Sequence, residues 1–287
     1  MHPISNTTPL VSILITAYNR EKYIAEAIES VLASTFKNYE LIIVDDCSID
    51  NTYTIANNFI KLDNRIIVYQ NKINIGQFAN RNKAASYATG KYLKYVDSDD
   101  TLNPNCIAVM VAAMEKNPHA GLGFCHTINN LPTLYPFSID SKLAFVRHFF
   151  EGGLLFTGPI GLIISHVAFK AVGGFEEFGM PSDNHLSLKL ASNNVIVAIE
   201  PNLFFWRQHS EQTFSINKKN SLNILHNYAY IKDIVLKYSP LSKAENKKIL
   251  YNQKKIFYKN LFNLFYKKSN PLLALQMLLN MNAKPPF

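Results

Sequence analysis

Apolar and polar positions alternate along the first 117 residues with two different periods. Short, almost continuous apolar runs, typical of buried parallel strands, are separated by stretches with an apolar residue every three or four positions. The apolar runs predict strands over Val11–Ile15, Tyr39–Val44, Arg65–Tyr69 and Tyr92–Val96. The stretches between them predict helices over Arg20–Ala33, Asp50–Leu62, Gln77–Ala88 and Pro104–Lys116. This alternation indicates an α/β fold with a doubly wound, mostly parallel sheet flanked by helices.

The pattern becomes less regular after residue 120 and then turns helical. Gly121–Cys125 and Val195–Ile199 predict two further strands, with a glycine-rich region between them. After about residue 217 the spacing predicts helices over Ser221–Tyr238, Ser242–Tyr266 and Pro271–Met281. We therefore expect a ligand-binding domain over residues 1–217 and a basic helical C-terminal region over residues 218–287.

Charge is divided unevenly between these two parts. The 287-residue chain carries a formal net charge of +8, and residues 218–287 contain 13 lysines against two acids, Asp233 and Glu245. The C-terminal region is therefore at +11 and the first 217 residues are at −3. Such a cationic region predicts an anionic partner, either a membrane surface or a polyanion.

Lysines and aromatic residues alternate within Lys254–Lys268, a pattern typical of a helix that lies on a membrane surface. The same helices could instead pack on the body of the protein or on a second copy of the chain and leave their lysines in water. Both interpretations stay open from the sequence. Nucleic-acid binding is not expected, since no recognised reading motif accompanies the lysines.

The cysteines and the termini bear on the compartment. Cys47, Cys106 and Cys125 form no CxxC pair, which argues against a zinc ribbon or a disulfide scaffold and predicts a reducing compartment. The N-terminus lacks the pattern of a signal peptide, and no apolar run approaches the roughly 20 residues that a spanning helix needs. We expect a cytoplasmic protein, with any membrane contact peripheral and at the inner face.

Three carboxylates follow the fourth predicted strand directly, in the sequence Asp97-Ser98-Asp99-Asp100. Open α/β sheets bind ligands at this carboxyl edge. Carboxylates so close repel one another unless a cation lies among them, and Mg²⁺ or Mn²⁺ prefers such oxygen ligands and often shares them with phosphates. The alternative is an acidic turn that caps the next helix.

A second acidic pair, Asp45 and Asp46, closes the second predicted strand. Carboxylates at this edge can accept hydrogen bonds from a base or a ribose, and helix capping is again the alternative. Two common phosphate-binding loops are missing from the sequence. It contains no P-loop, and Gly121-x-Gly123 does not continue into a dinucleotide fingerprint.

Four motifs occur in order along the chain: Thr16-Ala-Tyr-Asn-Arg20, Val44-Asp-Asp-Cys-Ser48, Asn74-Ile-Gly76 with Arg81-Asn82, and Gly90-Lys-Tyr-Leu-Lys-Tyr-Val-Asp-Ser-Asp-Asp100. Together they resemble the family 2 glycosyltransferases of the GT-A fold, over about residues 10–215. The resemblance implies an inverting, metal-dependent enzyme that transfers a sugar from a nucleotide-diphospho-sugar, expected to be a UDP-sugar. The expected acceptor is a hydroxyl of a glycan or lipid-linked saccharide in surface polysaccharide biosynthesis. The Gln-x-x-Arg-Trp motif of processive synthases is absent, which indicates non-processive transfer.

The resemblance also implies roles for individual residues. Donor binding is expected from Thr16, Tyr18, Arg20, Asp45, Asp46, Asn74, Gly76, Arg81, Asp97, Ser98 and Arg207. In this set Asp46, with Asp45, resembles the carboxylate that reads uracil, Arg81 the cation on the diphosphate, and Asp97 the ribose-side acid. Asp100 is expected to act as a supporting or capping residue. Cys47 stands where the family usually has glycine, and we expect little effect on the chemistry.

Asp99 is the expected direct ligand of Mn²⁺ or Mg²⁺. The stretch Trp206-Arg-Gln-His-Ser210 resembles an Arg-x-His segment that in several non-processive relatives brings a histidine to the metal. His209 is therefore a second expected ligand, and imidazole suits Mn²⁺ better than Mg²⁺.

Inverting transfer also needs a general base that accepts the proton of the acceptor hydroxyl. The segment Gly173–Leu186 resembles the family segment that supplies it, although Ser182-Asp183 replaces the usual Glu-Asp. Asp183 is the expected base, with His185 as the alternative. A non-catalytic nucleotide-sugar or glycan-binding module on the same fold is the second function that the sequence leaves open.

Overall fold

The structure is a computed structural model that describes residues 8–125, 134–209, 221–266 and 270–281. The chain divides into two compact units built from interleaved segments. The first unit is Met1–Ile139, Thr157–Gly174 and Asn194–Arg207, and the second is Asp140–Phe156, Phe175–Asn193 and Gln208–Phe287. The domain boundary predicted at residue 217 lies outside the described residues, so that division stays a prediction.

A sheet of eight strands, counted over the described residues, forms the centre of the first unit. Its strands are β1 (Val11–Ala17), β2 (Tyr39–Asp45), β3 (Ile66–Gln70), β4 (Tyr92–Asp97), β6 (Ala120–Cys125), β7 (Phe137–Ile139), β8 (Leu162–Ser165) and β9 (Val195–Ile199). They lie in the order β3-β2-β1-β4-β8-β6-β9-β7. The first four run parallel, whereas β7 and β8 are antiparallel to their neighbours. The predicted strands and the mostly parallel sheet are confirmed.

Helices cover this sheet, and their apolar faces explain why. They are α1 (Ile24–Leu32), α2 (Thr52–Asn58), α3 (Gln77–Ser86), α4 (Cys106–Glu115) and α6 (His166–Ala171). In α1 the side chains of Ile24, Ile28 and Val31, spaced by four and three positions, are fully buried. Burial of such an apolar stripe against the sheet stabilises a helix more than its intrinsic propensity does.

The predicted helices are present, and some ends differ. The helix expected to start at Arg20 starts at Ile24, because the amides of Tyr23 and Ile24 both donate to the Arg20 carbonyl and make a turn first. The second predicted helix ends as a short 3₁₀ turn over Phe59–Lys61. A two-residue strand β5 (Thr101–Leu102) follows the acidic motif and pairs with β10 (Phe204–Phe205).

One buried charge interrupts the apolar core of the sheet. Lys94 lies inside β4 with its side chain fully buried, and its Nζ donates to the carbonyl of Ile160. Burial lowers the pKa of Lys94, because the apolar surroundings disfavour the charged form. The sequence pattern had counted this position as part of an apolar run.

The second unit is helical. It contains α5 (Ser141–Phe150), α7 (Ser182–Asn193), α8 (Asn223–Lys237), α9 (Lys243–Tyr266) and α10 (Pro271–Leu279). The three helices predicted for the C-terminal region are confirmed, and they share an apolar core that includes Tyr228, Phe257, Leu261 and Met277. Over the part of the chain that the structure describes, no helix is both long and apolar enough to cross a membrane.

Candidate donor and metal site

The carboxyl ends of β1, β2 and β4 meet at one edge of the sheet. In the parallel register Thr16 pairs with both Val44 and Asp97, and Ala17 pairs with Asp45. Because the three strands end at neighbouring positions, the loops that follow them carry the predicted donor residues to the same edge. The structure therefore brings together Thr16, Asp45 and Asp97, which lie far apart in sequence.

Arg20 extends from the loop after β1 to the acidic motif after β4. Its Nε lies 3.1 Å from Oδ2 of Asp99, and its Nη1 donates to the carbonyl of Asn19 at 3.0 Å. The backbone amide of Arg20 donates to Oγ1 of Thr52, which fixes the loop. The guanidinium and the predicted metal ligand are thus in direct contact.

A second ion pair lies beside the first. Arg81, on α3, places Nη2 2.7 Å from Oδ1 of Asp97. The arginine side chain is buried, and its guanidinium carbon lies 5.7 Å from the centre of the Phe78 ring. The hydroxyl of Tyr95 donates to the Arg81 carbonyl at 3.0 Å. The cation expected to contact a diphosphate is held at the sheet edge by its neighbours.

Arg207, two residues after β10, contacts the same motif. Its Nε donates to the Asp99 carbonyl at 2.9 Å, and its backbone amide donates to Oδ1 of Asp100 at 2.9 Å. Its Nη2 forms an ion pair with Glu26 on α1, and the guanidinium lies over the Tyr23 ring. Sequence analysis missed Glu26, whose charge on an exposed helix face gives no local signal of this contact.

Three carboxylates and three guanidinium groups are crowded at the acidic motif. Burial, together with the nearby carboxylates of Asp97 and Asp99, raises the pKa of Asp100 to about 8, and the hydrogen bond from Arg207 opposes this rise. We call Arg20, Arg81, Asp97, Asp99, Asp100 and Arg207 the sheet-edge cluster. Ser98, within the motif, is buried.

The residues present fit a divalent cation. The side chains of Asp97 and Asp99 offer the carboxylate oxygens that Mg²⁺ and Mn²⁺ prefer, at an edge that also presents arginine donors for phosphate. Burial, and to a lesser extent the neighbouring carboxylates, raises the pKa of Asp100, and a bound cation would favour its ionised form.

Asp46 holds the loop after β3. Its Oδ1 accepts from Nδ2 of Asn71 at 2.7 Å and from the amide of Ile75 at 3.0 Å, and its Oδ2 accepts from the amide of Gly76 at 3.0 Å. Oδ1 of Asn74 accepts from the same Gly76 amide. Gly76 has a φ of +88°, a conformation that glycine adopts without strain. Both carboxylate oxygens of Asp46 are thus occupied within the protein.

Asp45 differs from its neighbour. Its Oδ2 accepts from the amide of Ser48 at 3.0 Å and from Nε2 of Gln70 at 3.2 Å. Its Oδ1 is buried and has no hydrogen-bond partner among the residues that the structure describes. A buried acceptor without a partner is costly, so this oxygen suits a donor from a ligand.

Cys47, the next residue, adopts a φ of +64°, in the left-handed region that glycine favours. This conformation gives a physical reason for the glycine that the family usually has here. The departure noted in the sequence therefore concerns backbone strain in the loop that follows Asp45.

The predicted base, its alternative and the second predicted metal ligand belong to the second unit. Asp183 lies in the first turn of α7, and its carbonyl accepts from Oγ of Ser187. His209 is half-buried and follows Arg207 by two residues. The roles expected for Asp183 and His209 stay predictions. His185 is fully buried, and its Nε2 lies 3.0 Å from Oδ2 of Asp233, an arrangement that does not favour His185 as a base that meets an acceptor.

His185 belongs to a second charged group that the sequence did not predict. Ligand-type atoms of Glu176, His185 and Asp233 lie within 4.8 Å of one another. Nζ of Lys189 contacts Glu176 at 2.6 Å, and Nζ of Lys237 contacts Asp233 at 2.5 Å. We call these five residues the lysine cluster. Its two ammonium groups balance its two carboxylates, which favours a salt-bridge network over a metal site.

Comparison with known proteins decides the family. Residues 12–167 match the family model for Glycosyl transferase family 2. The chain belongs to this family. The match covers more than half of the chain and includes the motifs that carry the sequence resemblance, which is therefore confirmed.

Curated relatives agree with this assignment. An uncharacterized glycosyltransferase of Haemophilus influenzae is 40% identical over 111 residues, which cover 39% of this chain and 34% of the relative. WcaA of Escherichia coli, provisionally named a colanic acid biosynthesis glycosyl transferase, is 34% identical over 162 residues, or 52% of this chain and 57% of the relative. The chain spans 34–41% of the length of several relatives that it matches.

Solved structures agree with the fold. Staphylococcus aureus TarS 1–349 in complex with UDP-GlcNAc aligns with a TM-score of 0.71 at 20% identity, over 96% of this chain and 81% of that one. The mannosyltransferase PcManGT of Pyrobaculum calidifontis, in complex with GDP-Man and Mn²⁺, aligns with a TM-score of 0.63 at 16% identity, over 97% and 82%. These similarities confirm the GT-A fold.

Proposed function

We propose that this family 2 glycosyltransferase moves a sugar from a UDP-sugar to a hydroxyl of a glycan or lipid-linked saccharide, with inversion, in surface polysaccharide biosynthesis. The observation that carries the proposal is the sheet-edge cluster, where arginines meet crowded carboxylates at the carboxyl ends of β1 and β4. The names of WcaA and of the provisionally named teichuronic acid enzyme TuaG of Bacillus subtilis support the polysaccharide setting. The UDP-GlcNAc complex of TarS supports the donor class.

The arginines of the cluster would bind the donor diphosphate. Arg20 and Arg81 each contact one carboxylate in the structure, and phosphate oxygens accept from the same guanidinium groups. Asp97 and Asp99 would hold Mn²⁺ or Mg²⁺, which offsets charge on the departing UDP when it is bound. The complex of PcManGT with Mn²⁺ supports this use of a metal, and His209 completes the proposed ligand set.

The nucleoside would lie against the loops after β1, β2 and β3. Asp45 supplies the acceptor for the base, supported by its buried Oδ1, while Asp46 keeps the loop that contains Asn74 and Gly76 in shape. This division of labour sharpens the sequence expectation, in which Asp46 was the first candidate for reading uracil. Thr16, Tyr18 and Ser98 complete the proposed donor-binding set.

Asp183 is the proposed general base. It would accept the proton of the acceptor hydroxyl as that oxygen attacks C1 of the donor sugar from the face opposite UDP. Support comes from the family resemblance of its segment and from its place in the first turn of α7. We further propose that residues 1–217 form the catalytic domain. A cytoplasmic location is supported by cysteines that form no disulfide.

Release of UDP from a panel of UDP-sugars, with and without Mn²⁺, tests the proposal. Wild type should release UDP from one donor in a metal-dependent way, and Asp99→Asn should lose this release. Asp63→Asn is the matched control, because Asp63 pairs with Arg65 in the same unit outside the cluster. Tight UDP binding without release from any donor would instead favour a nucleotide-sugar-binding module.

A further inference from the structure

Aromatic side chains form an exposed stripe along α9. Tyr251, Tyr258 and Phe262 are separated by seven and four positions, so they share one face of the helix, and Phe265 and Tyr266 continue it. All five are between 45% and 65% exposed. We call these five residues the aromatic stripe.

The stripe is not needed for the fold of the second unit. The opposite face of α9 already buries Phe257, Leu261 and Leu264 against α8 and α10. A helix of a globular protein needs one apolar face to pack. Here a second apolar face remains open to solvent, which indicates a surface for binding rather than for the core.

Lysines flank the stripe on both sides. Helical spacing places Lys247 and Lys254 along one side, and Lys248, Lys255 and Lys259 along the other. Nζ of Lys255 lies 4.5 Å from the centre of the Tyr251 ring. Glu245 is the single acidic residue in the sequence of α9. The exposed side of this helix is therefore both aromatic and strongly cationic.

Leucines extend the apolar surface onto α10. Leu272, Leu275 and Leu279 follow a spacing of three and four positions and are exposed, whereas Met277 is buried on the other side. The hydroxyl of Tyr258, within the stripe, lies 3.7 Å from Sδ of Met281, just beyond the end of α10. The stripe and α10 therefore adjoin.

We propose that the aromatic stripe, its flanking lysines and the leucines of α10 bind the surface of an anionic lipid bilayer. Tyrosine rings prefer the interface between headgroups and acyl chains, and phenylalanine and leucine insert below it. Lysine stems lie along the apolar surface while their ammonium groups reach lipid phosphates. The charge of this surface complements anionic headgroups, and the inference does not rest on the proposed transfer reaction.

Co-sedimentation of the full chain with lipid vesicles tests this inference. Vesicles of phosphatidylcholine and phosphatidylglycerol in equal parts should bind the protein at least ten times more tightly than vesicles of phosphatidylcholine alone, since each lysine near an anionic surface contributes about fivefold. Added salt should weaken the binding, because it screens the lysines. Equal binding to both vesicles would overturn the charge argument.

Variants distinguish vesicle binding through the aromatic stripe from nonspecific binding through any exposed apolar residue. The double variant Phe262→Ser with Phe265→Ser should bind vesicles at least tenfold more weakly. Its rate of UDP release in the presence of a soluble acceptor should equal that of wild type. The matched control is Leu62→Ser with Val167→Ser, two exposed apolar residues of the first unit, which should bind vesicles like wild type. Unchanged vesicle binding by the stripe variant would contradict the proposal. The proposal would also be contradicted if wild type bound no vesicles and formed a dimer in sedimentation velocity, while the stripe variant was a monomer.

Discussion

Two groups of acidic side chains in this protein differ in the direction in which the pKa of a carboxyl group is shifted. In the sheet-edge cluster, burial and neighbouring carboxylates raise the pKa of Asp100 to about 8 although arginines lie close by. In the lysine cluster, burial opposes ionisation of Asp233, yet hydrogen bonds from Lys237 and His185 hold its pKa below the ordinary value. The sheet-edge cluster therefore contains a carboxyl group whose ionised form is disfavoured, whereas Asp233 of the lysine cluster is held in its ionised form.

From this difference we infer that the sheet-edge cluster is a ligand site and that the lysine cluster is structural. A buried carboxyl group whose ionised form is disfavoured is stabilised when a cation binds beside it, and groups with shifted pKa values are concentrated at functional sites. A balanced, partly buried network gains nothing from a metal and contributes to stability through its own contacts. A criterion that only counts neighbouring acidic residues would not distinguish the two groups.

Activity should distinguish the clusters most strongly. Asp99→Asn should reduce kcat/KM for the UDP-sugar at least 100-fold, about 2.7 kcal/mol of transition-state stabilisation, because a neutral amide cannot hold the metal. Its free energy of unfolding should stay within about 1 kcal/mol of wild type, since the change also relieves repulsion in the cluster. Steady-state kinetics and urea unfolding measure the two effects. A variant with a clearly lower free energy of unfolding but an unchanged kcat/KM would contradict the assignment of Asp99 to the site.

The lysine cluster should show the opposite behaviour. Asp233→Ala leaves Lys237 and the buried His185 without their carboxylate, so the free energy of unfolding should fall by about 3 kcal/mol. Glu151→Ala is the control, because the Glu151–Arg147 pair spans 3.8 Å at the surface and should contribute less than about 0.5 kcal/mol. Urea unfolding of both variants gives the comparison. Equal losses of unfolding free energy in the two variants would show that the lysine cluster contributes no more than an exposed ion pair.

A neutral buried histidine of the second unit, outside both clusters, adds a pH dependence of its own. Burial lowers the pKa of His148 to about 4, and its Nδ1 accepts from the amide of Leu155. The unfolded chain takes up this proton first as the pH falls below about 6.5, so the stability is complete above that value and is lost toward pH 4. The loss from this residue at pH 5 should be about 2 kcal/mol. Urea unfolding of wild type and His148→Gln at pH 7 and pH 5 isolates the contribution of His148. If the free energy of unfolding changed equally with pH in both proteins, His148 would make no such contribution.

The smallest expected effect concerns the loop beside Asp45. Cys47→Gly should raise the free energy of unfolding by up to about 1 kcal/mol, because glycine adopts the φ of +64° without the cost that a side chain brings. Cys47→Ala keeps the strain and removes the thiol, so it should match wild type. Thermal unfolding of the two variants is sufficient. A stabilised alanine variant would point to the thiol instead of the backbone.

The fold was predictable because its signals are local. Apolar runs predicted β1 to β4, and regularly spaced apolar residues predicted the helices between them. These patterns match the structure because each strand and helix buries its own apolar side chains in the core. Asp45, Asp97 and Asp99 were predictable as candidates for the same reason, because each follows a strand whose end defines the ligand edge.

Other features depend on contacts between distant positions. The lysine cluster joins residues of α7 and α8, and no spacing in the sequence marks it. Glu26 was missed because its ion pair with Arg207 joins positions 181 residues apart. Lys94 was hidden in an apolar run, and the strain at Cys47 appears only in a dihedral angle.

We infer that the sheet-edge cluster binds a divalent cation together with a nucleoside diphosphate. Calorimetric titration of UDP into wild type and Asp99→Asn, each with and without Mn²⁺, tests it most directly. Mn²⁺ should tighten UDP binding by wild type at least tenfold and leave binding by Asp99→Asn unchanged. Equal UDP affinity of wild type with and without Mn²⁺ would contradict it.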